Sequence, residues 1–297
     1  MEYVITDEHD GMLIRSYLRG VLNISASELT SLKKKSDGIT VNENRVTVRY
    51  VLKTGDVLGL NRSDIASSDS VAPIKLPLDI IYEDNDVIAV NKPPNMPTHP
   101  SHEHQNDTLA NALSYYFHEK GVPFVFRAVN RLDRDTSGIV LVAKNKSAAF
   151  LLSKEFSSFR VEKKYIAIAN GITPEKFTVE GNMKRQEESK MKRVMCDESE
   201  GQYSRTDFER IASSNSMSAL LVTPKTGRTH QIRLHLSHAG HPIISDTLYG
   251  DEGVHETIGR QALHAYSLTF NKISDGSPLT LKAELPEDIK NIIKIEL

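Results

Sequence analysis

The run Asn130-Arg131-Leu132-Asp133-Arg134-Asp135-Thr136-Ser137-Gly138 leads without a break into Ile139-Val140-Leu141-Val142-Ala143. Five consecutive apolar residues of this kind need burial on both faces, so they predict an inner strand rather than a solvent-facing one. The polar run before them predicts a tight turn at the strand's entry. A turn mounted on a buried strand is a rigid platform for reactive side chains. Asp133 and Asp135, Arg131 and Arg134, and two hydroxyls sit within eight positions of one another.

The rest of the 297 residues must supply a core around that strand. An apolar share of 39% with 26% charged residues suits a folded globular chain and argues against disorder. The length has room for one large domain and a small one. No apolar run approaches the ~18 residues that cross a bilayer. The stretch Met1 to Glu8 lacks the basic and apolar regions of a signal peptide, and the single cysteine, Cys196, excludes an internal disulfide framework. A cytoplasmic protein without membrane contact is expected.

Net charge is −2, which on its face speaks against a polyanionic partner. The distribution reverses this: Arg127 to Arg193 holds 15 Lys and Arg against 8 Asp and Glu. A local basic surface is what phosphate contacts require, although a solvated face would read the same way.

A Ser- and Asp-rich segment, residues 63–75, reads as a linker between two domains, 1–62 and 76–297. In the first, Leu13, Ile14, Tyr17, Leu18, Val21 and Leu22 recur at helical spacing. Ser25 with Glu28 fits a capping box for a second helix. Short strands are expected at Ile39–Asn42 and Arg45–Val48 around a Glu43-Asn44 turn, and another over Tyr50–Leu58. With Lys33, Lys34 and Lys35, this unit resembles the alpha-L RNA-binding module.

The larger domain reads as mostly β. Strands are expected at Ile80–Tyr82, Val87–Val90, Lys164–Ile168, Phe177–Val179, Ser204–Arg210, Ser218–Thr223 and Leu279–Ala283, and helices at Thr108–Phe117 and Lys146–Phe156. Asn91 to Pro97 carries three prolines and must be an extended loop. The expected class is α+β, a mixed and mainly antiparallel sheet, plus the small α+β unit.

Arg131-Leu132-Asp133 followed by Thr136-Ser137-Gly138 resembles the catalytic motif of the RluA-type RNA pseudouridine synthases. The likeness continues in order through Val90–Pro100, Lys163–Ala167, Thr226–His235, Gly240–Gly250 and Leu263-His264-Ala265. Two departures stand out: Asn130 replaces the usual histidine before the Arg-Leu-Asp, and residues 181–193 lack a Pro-Ile segment. The resemblance implies an isomerase converting uridine to pseudouridine in structured RNA, with no cofactor and no metal. It casts Asp133 as nucleophile, Arg233 as its charge partner and Tyr165 as the side chain beside a flipped base. Arg131, Lys92, Arg228, Gln231 and Leu263 become substrate-binding candidates, Arg131 and Lys92 through phosphate or else through the turn itself. The implied subgroup acts on large-subunit ribosomal RNA; tRNA is the alternative target, and a monomer is expected.

Duller readings compete. Asp133 read alone is a turn aspartate, and Asp135 is read as one. A non-catalytic RNA-binding protein has no need to keep Asp133, Tyr165 and Arg233 together. A glycoside hydrolase using Asp133 and Asp135 fails on spacing, because i and i+2 on a tight turn do not flank a bond. The clusters His99/His102/His104 and His230/His235/His238/His241 lack metal-site spacing.

Overall fold

The computed structural model describes all residues except 1, 23, 25, 62–70, 188, 190, 215, 251–257 and 293–297, and omits the side chains of 26–28 and 31. The expected Ser25–Glu28 cap and most of the expected linker lie outside the described residues. The chain forms two compact units, Met1–Asp69 and Ser70–Leu297.

In the first unit, β1 (Glu2–Val4), β2 (Ile39–Val41), β3 (Asn44–Arg45) and β4 (Val57–Leu60) make a sheet of order β1-β4-β2-β3. The helical run splits into α1 (Ile14–Ser16) and a π-turn, Tyr17–Val21, before α2 (Ala26–Lys34). Ile5, Ile14, Leu18, Leu32, Leu52 and Leu58 are buried at its centre. Three expectations need correction. The hairpin turn falls on Asn42-Glu43, both at positive φ as a two-residue connection demands, and not on Glu43-Asn44. The strands expected over Arg45–Val48 and Tyr50–Leu58 shrink to β3 and β4. The reason is Asp56: its carboxylate accepts from Lys53 N–H (3.0 Å), Tyr50 O–H (3.2 Å) and Asn42 Nδ2 (2.9 Å), and so holds 50–56 as a loop.

The second unit is the α+β body expected. Its strands are β5 (Ile80–Glu83), β6 (Val87–Lys92), β7 (Ser137–Ala143), β8 (Glu162–Asn170), β9 (Lys176–Arg185), β10 (Arg193–Cys196), β11 (Gln202–Ser213), β12 (Met217–Pro224), β13 (Leu263–Asn271) and β14 (Pro278–Lys282). They form one sheet of order β10-β9-β11-β12-β8-β13-β7-β6-β5, with β14 on β13. Among the described residues, β13 with β7 is its one parallel pair. The helices are α3 (Leu109–Glu119), α4 (Lys146–Ser157), α5 (Gln231–His238) and the short α6 (Glu287–Lys290).

The apolar run after the polar turn is β7, buried at every position. Its period-2 alternation divides the core. Ile139 and Leu141, with Val87 and Ala89 of β6, pack beside Leu152 of α4. Val140 and Val142, with Ile88 and Val90, pack beside Leu109, Leu113 and Phe117 of α3. Thr108 caps α3 in a reciprocal box with Asn111, and Asn145 caps α4 through Ala148 N–H.

Gly138 lets β7 begin where it does. Its φ is +110°, and a Cβ there would stand 2.3 Å from Ala265 O and 2.7 Å from Ala265 N on β13. Gly138→Ala is therefore expected to cost about 3 kcal/mol, from left-handed strain plus a clash with backbone that cannot yield. Thermal unfolding checks this; a melting temperature within a degree of wild type would contradict it.

Two histidines are locked in the interior as neutral rings. His264 shares a hydrogen bond with Ser137 Oγ (2.9 Å), and His235 lies between Ser204 Oγ and Thr206 Oγ1, 2.9 Å from each. Burial pushes both down to about 4. Below the unfolded value near 6.5 the unfolded chain therefore binds more protons, and stability falls with pH through this window. We expect a loss of about 2 kcal/mol per histidine between pH 7 and pH 5, read by urea unfolding. An unchanged midpoint would contradict it.

Candidate active site

The polar turn is fastened at nearly every residue. Thr98 Oγ1 donates to Leu132 O (3.0 Å) and accepts from Leu132 N–H (3.3 Å). Thr136 N–H closes the turn on Asp133 O at 3.2 Å. Arg260 donates to Asp135 O at 3.1 Å, Gln261 Nε2 to Thr136 Oγ1 at 3.2 Å. Asn130, in the place of the usual histidine, bridges the strand itself, donating to Ile139 O (3.0 Å) and accepting from Leu141 N–H (2.8 Å).

Of the two partners expected for Lys92, phosphate and the turn itself, the structure corrects the first and shows the second: it is 0% exposed and donates to Pro93 O (2.8 Å) and Arg134 O (2.9 Å). Burial pushes its ammonium down to about 7, against the pull of Asp135 and Asp133. Lys92 thus fastens the backbone of the turn to that of Pro93.

Asp133 emerges from this frame on the wall of a cleft of about 550 Å³. Arg131, Tyr165 of β8, Arg228, Gln231 and Arg233 of α5, and Leu263 of β13 line the same cleft, along with Lys163 and His230. Arg233 Nη1 donates to Asp133 Oδ2 at 3.0 Å, across 100 residues of sequence. The other edge of the guanidinium grips Asp246, Nε to Oδ2 at 2.7 Å and Nη2 to Oδ1 at 2.8 Å. Asp246 also accepts from Leu248 and Tyr249 N–H (2.9 and 3.0 Å), and its carboxylate is shut off from solvent.

The electrostatics follow from the geometry. Burial opposes charge on Arg233, but the Asp246 and Asp133 carboxylates more than offset it and raise its pKa. Burial likewise works against the Asp246 carboxylate, yet Arg233 and two backbone N–H groups hold it below the usual range. Desolvation and the neighbouring Asp133 charge push the Tyr165 phenol up, so it stands protonated. His230 sits at positive φ just before α5, 3.7 Å from Asp133. Burial lowers its pKa, with Asp133 pulling the other way. Lys163 donates to Thr226 O (3.1 Å), and burial pushes it down to about 8.

The other candidates divide. Arg131 is exposed at the cleft, and Leu263 is a buried apolar wall. Arg228 lines the cleft with Nε turned to Tyr203 O at 3.1 Å. Gln231 is buried and its amide is spent inside the protein, on Thr226, Arg205, Thr206 and the Arg228 N–H, so it braces the wall. Asp135 pairs with Arg134 and does not line the cleft, which removes a two-carboxylate hydrolase. Asp246, Arg260 and Thr98 were not singled out from sequence, and His230 was weighed there only as one of a histidine cluster without metal-site spacing. Asp246 lay within a recognised motif, but an aspartate in a turn gives no sign of the arginine it will hold.

One carboxylate, held in place by a fork that is itself anchored from behind, can attack or stabilise an electron-poor carbon without a metal. Beside it stand a protonated phenol and an apolar wall, which suit a flat ring.

Comparison with known proteins gives this arrangement its setting. The profile of the family described as RNA pseudouridylate synthase matches residues 86–238. A Bacillus subtilis (strain 168) protein, Uncharacterized RNA pseudouridine synthase YjbO, is 37% identical over 96% of this chain and 99% of its own length. Ribosomal large subunit pseudouridine synthase D of Neisseria meningitidis serogroup B is 31% identical over 91% of this chain and 75% of its own. Among solved structures, Human RNA Pseudouridylate Synthase Domain Containing 1 superposes with a TM-score of 0.59 at 29% identity, covering 70% of this chain and 84% of that one. No described helix is long and apolar enough to cross a membrane. The chain belongs to the RluA-type RNA pseudouridine synthase family, isomerases of uridine in RNA.

Proposed function

We propose that the protein converts specific uridines of large-subunit ribosomal RNA to pseudouridine, with Asp133 as the nucleophilic carboxylate. The observation that carries this reading is the bond from Arg233 to Asp133 inside the cleft, with Asp246 behind it. In the reaction the bond from uracil N1 to the sugar breaks and the ring turns. A bond from carbon 5 to the sugar then forms, the proton on carbon 5 leaves and N1 gains one. The target base must first be drawn out of its stack, at a cost of a few kcal/mol. Asp133 supplies the carboxylate, Arg233 pairs with it and holds it in place, Tyr165 and Leu263 receive the ring, and Arg131 and Arg228 meet phosphate. The ribosomal target rests on relatives named as large-subunit synthases C and D. Mapping pseudouridines in cellular RNA with and without this protein tests it. Loss of sites in large-subunit RNA is expected; loss confined to tRNA would move the target, and no loss would remove the activity.

Residues 1–62, within the first unit, are proposed as an RNA-binding module joined by a linker to the catalytic domain. Arg15, Arg19 and Lys33 line one surface hollow of it, a cationic concavity of the sort a backbone follows. Deleting 1–62 should weaken binding of long RNA about tenfold or more while short substrates turn over as before. Equal affinity would refute the module.

A further inference from the structure

Phe159 is a residue that neither the fold nor the reaction so far described explains. It follows the C-cap of α4, Ser158, and takes φ = +58°. The helix ends there in a closing turn, with Arg160 N–H on Glu155 O at 3.1 Å, which calls for a left-handed residue at this place. Glycine or asparagine ordinarily provides it, and a bulky aromatic is disfavoured. The ring gains nothing from the core in return, for Phe159 is 63% exposed. A strained backbone thus presents an apolar ring to solvent.

Its position supplies the reason. Phe159 lines the cleft that holds Asp133, together with the cationic side chains of Arg131, Lys163 and Arg228. An aromatic face among positive charges is the chemistry that holds unstacked nucleobases, the ring taking the base and the cations the phosphates. The turn that closes α4 fixes the backbone, so the ring is offered by a helix end rather than a loose loop.

We propose that Phe159 is a stacking platform for a nucleobase beside the extruded uridine, so that the preferred substrate carries an unpaired neighbour at the target. This rests on the reading of the cleft as a uridine-isomerising site. It adds a substrate feature, an open flanking base, that the reaction alone does not demand.

The chain has no tryptophan, so Phe159→Trp introduces a single reporter at the proposed platform. The probe is unmodified large-subunit ribosomal RNA, transcribed with uridine tritiated at carbon 5. Stacking should quench the fluorescence of Phe159→Trp. Phe159→Gly should relieve the strain and raise the melting temperature by about 2 °C. The same variant should raise KM about tenfold, the scale of one base–aromatic stack, with a smaller change in kcat. Phe159→Leu, which keeps apolar bulk without a ring face, should share the KM defect. A ring that merely packs would instead give Phe159→Gly a lower melting temperature and an unchanged KM, and that result overturns the proposal. Tritium release by wild type, with no quenching and no change in KM, overturns the platform and leaves the catalytic reading standing. Quenching by RNA without any release from wild type sinks the catalytic reading and keeps the platform. RNA that is neither bound nor turned over removes both.

Discussion

Asp133→Ala should lose activity by about 10⁴-fold in kcat, equivalent to ~5.4 kcal/mol of barrier, while still binding RNA. The side chain is small and its carboxylate is 21% exposed, so alanine leaves no large cavity. Arg233 keeps both bonds to Asp246 and stays in place. Affinity for RNA comes chiefly from phosphate contacts, to which an aspartate adds nothing, so the dissociation constant should stay within about threefold. Tritium release and filter binding on the same RNA separate the two effects. Equal release from both proteins would take Asp133 out of its role.

Arg233→Leu should be comparably severe and should also unfold more easily. The guanidinium joins two carboxylates, and Asp246 is fully enclosed. Removing one partner of a buried pair costs about 3–5 kcal/mol because the other charge is left stranded. Asp133 would lose its charge partner at the same time, so activity should fall by ~10³-fold or more. Arg233→Lys keeps the charge but not the fork that spans both acids, so it should recover part of the stability and little of the rate. Melting curves and single-turnover release give the two readouts. Activity of the leucine variant within a few-fold of wild type would contradict the pairing.

Both predictions depend on contacts that differ in how legible they were. The polar turn and β7 were readable because their signal is local: a fixed run of residue types feeding an apolar stretch that needs burial on both faces. α3 was readable from apolar spacing, and both α3 and α4 were expected to within a few positions of their bounds. Arg233 was assigned to Asp133 by resemblance; no local pattern joins residues 100 apart. Asp246 lies only 13 residues from its partner, yet it escaped because packing, and not a local pattern, brings its turn against α5. Lys92 was hard to assign because a lysine is rarely driven fully inside, and one of the two backbone oxygens that receive it, Arg134 O, belongs to a distant turn. β13 was noticed only as a short motif, although Tyr266, Leu268 and Phe270 alternate with polar residues as a strand should. In the first unit the error was one of register. The Asn42-Glu43 turn and the Asp56 clasp are set by positive φ values and side-chain bonds that strand propensity ignores.

Hydrogen at carbon 5 of the target is the atom that uridine isomerisation must expel, so its release is the direct reading of the chemistry assigned to Asp133 and Arg233. Wild-type protein on carbon-5-tritiated, unmodified large-subunit ribosomal RNA should liberate one tritium for each pseudouridine formed, with neither metal nor cofactor added. RNA held by the protein with its tritium retained would contradict the account.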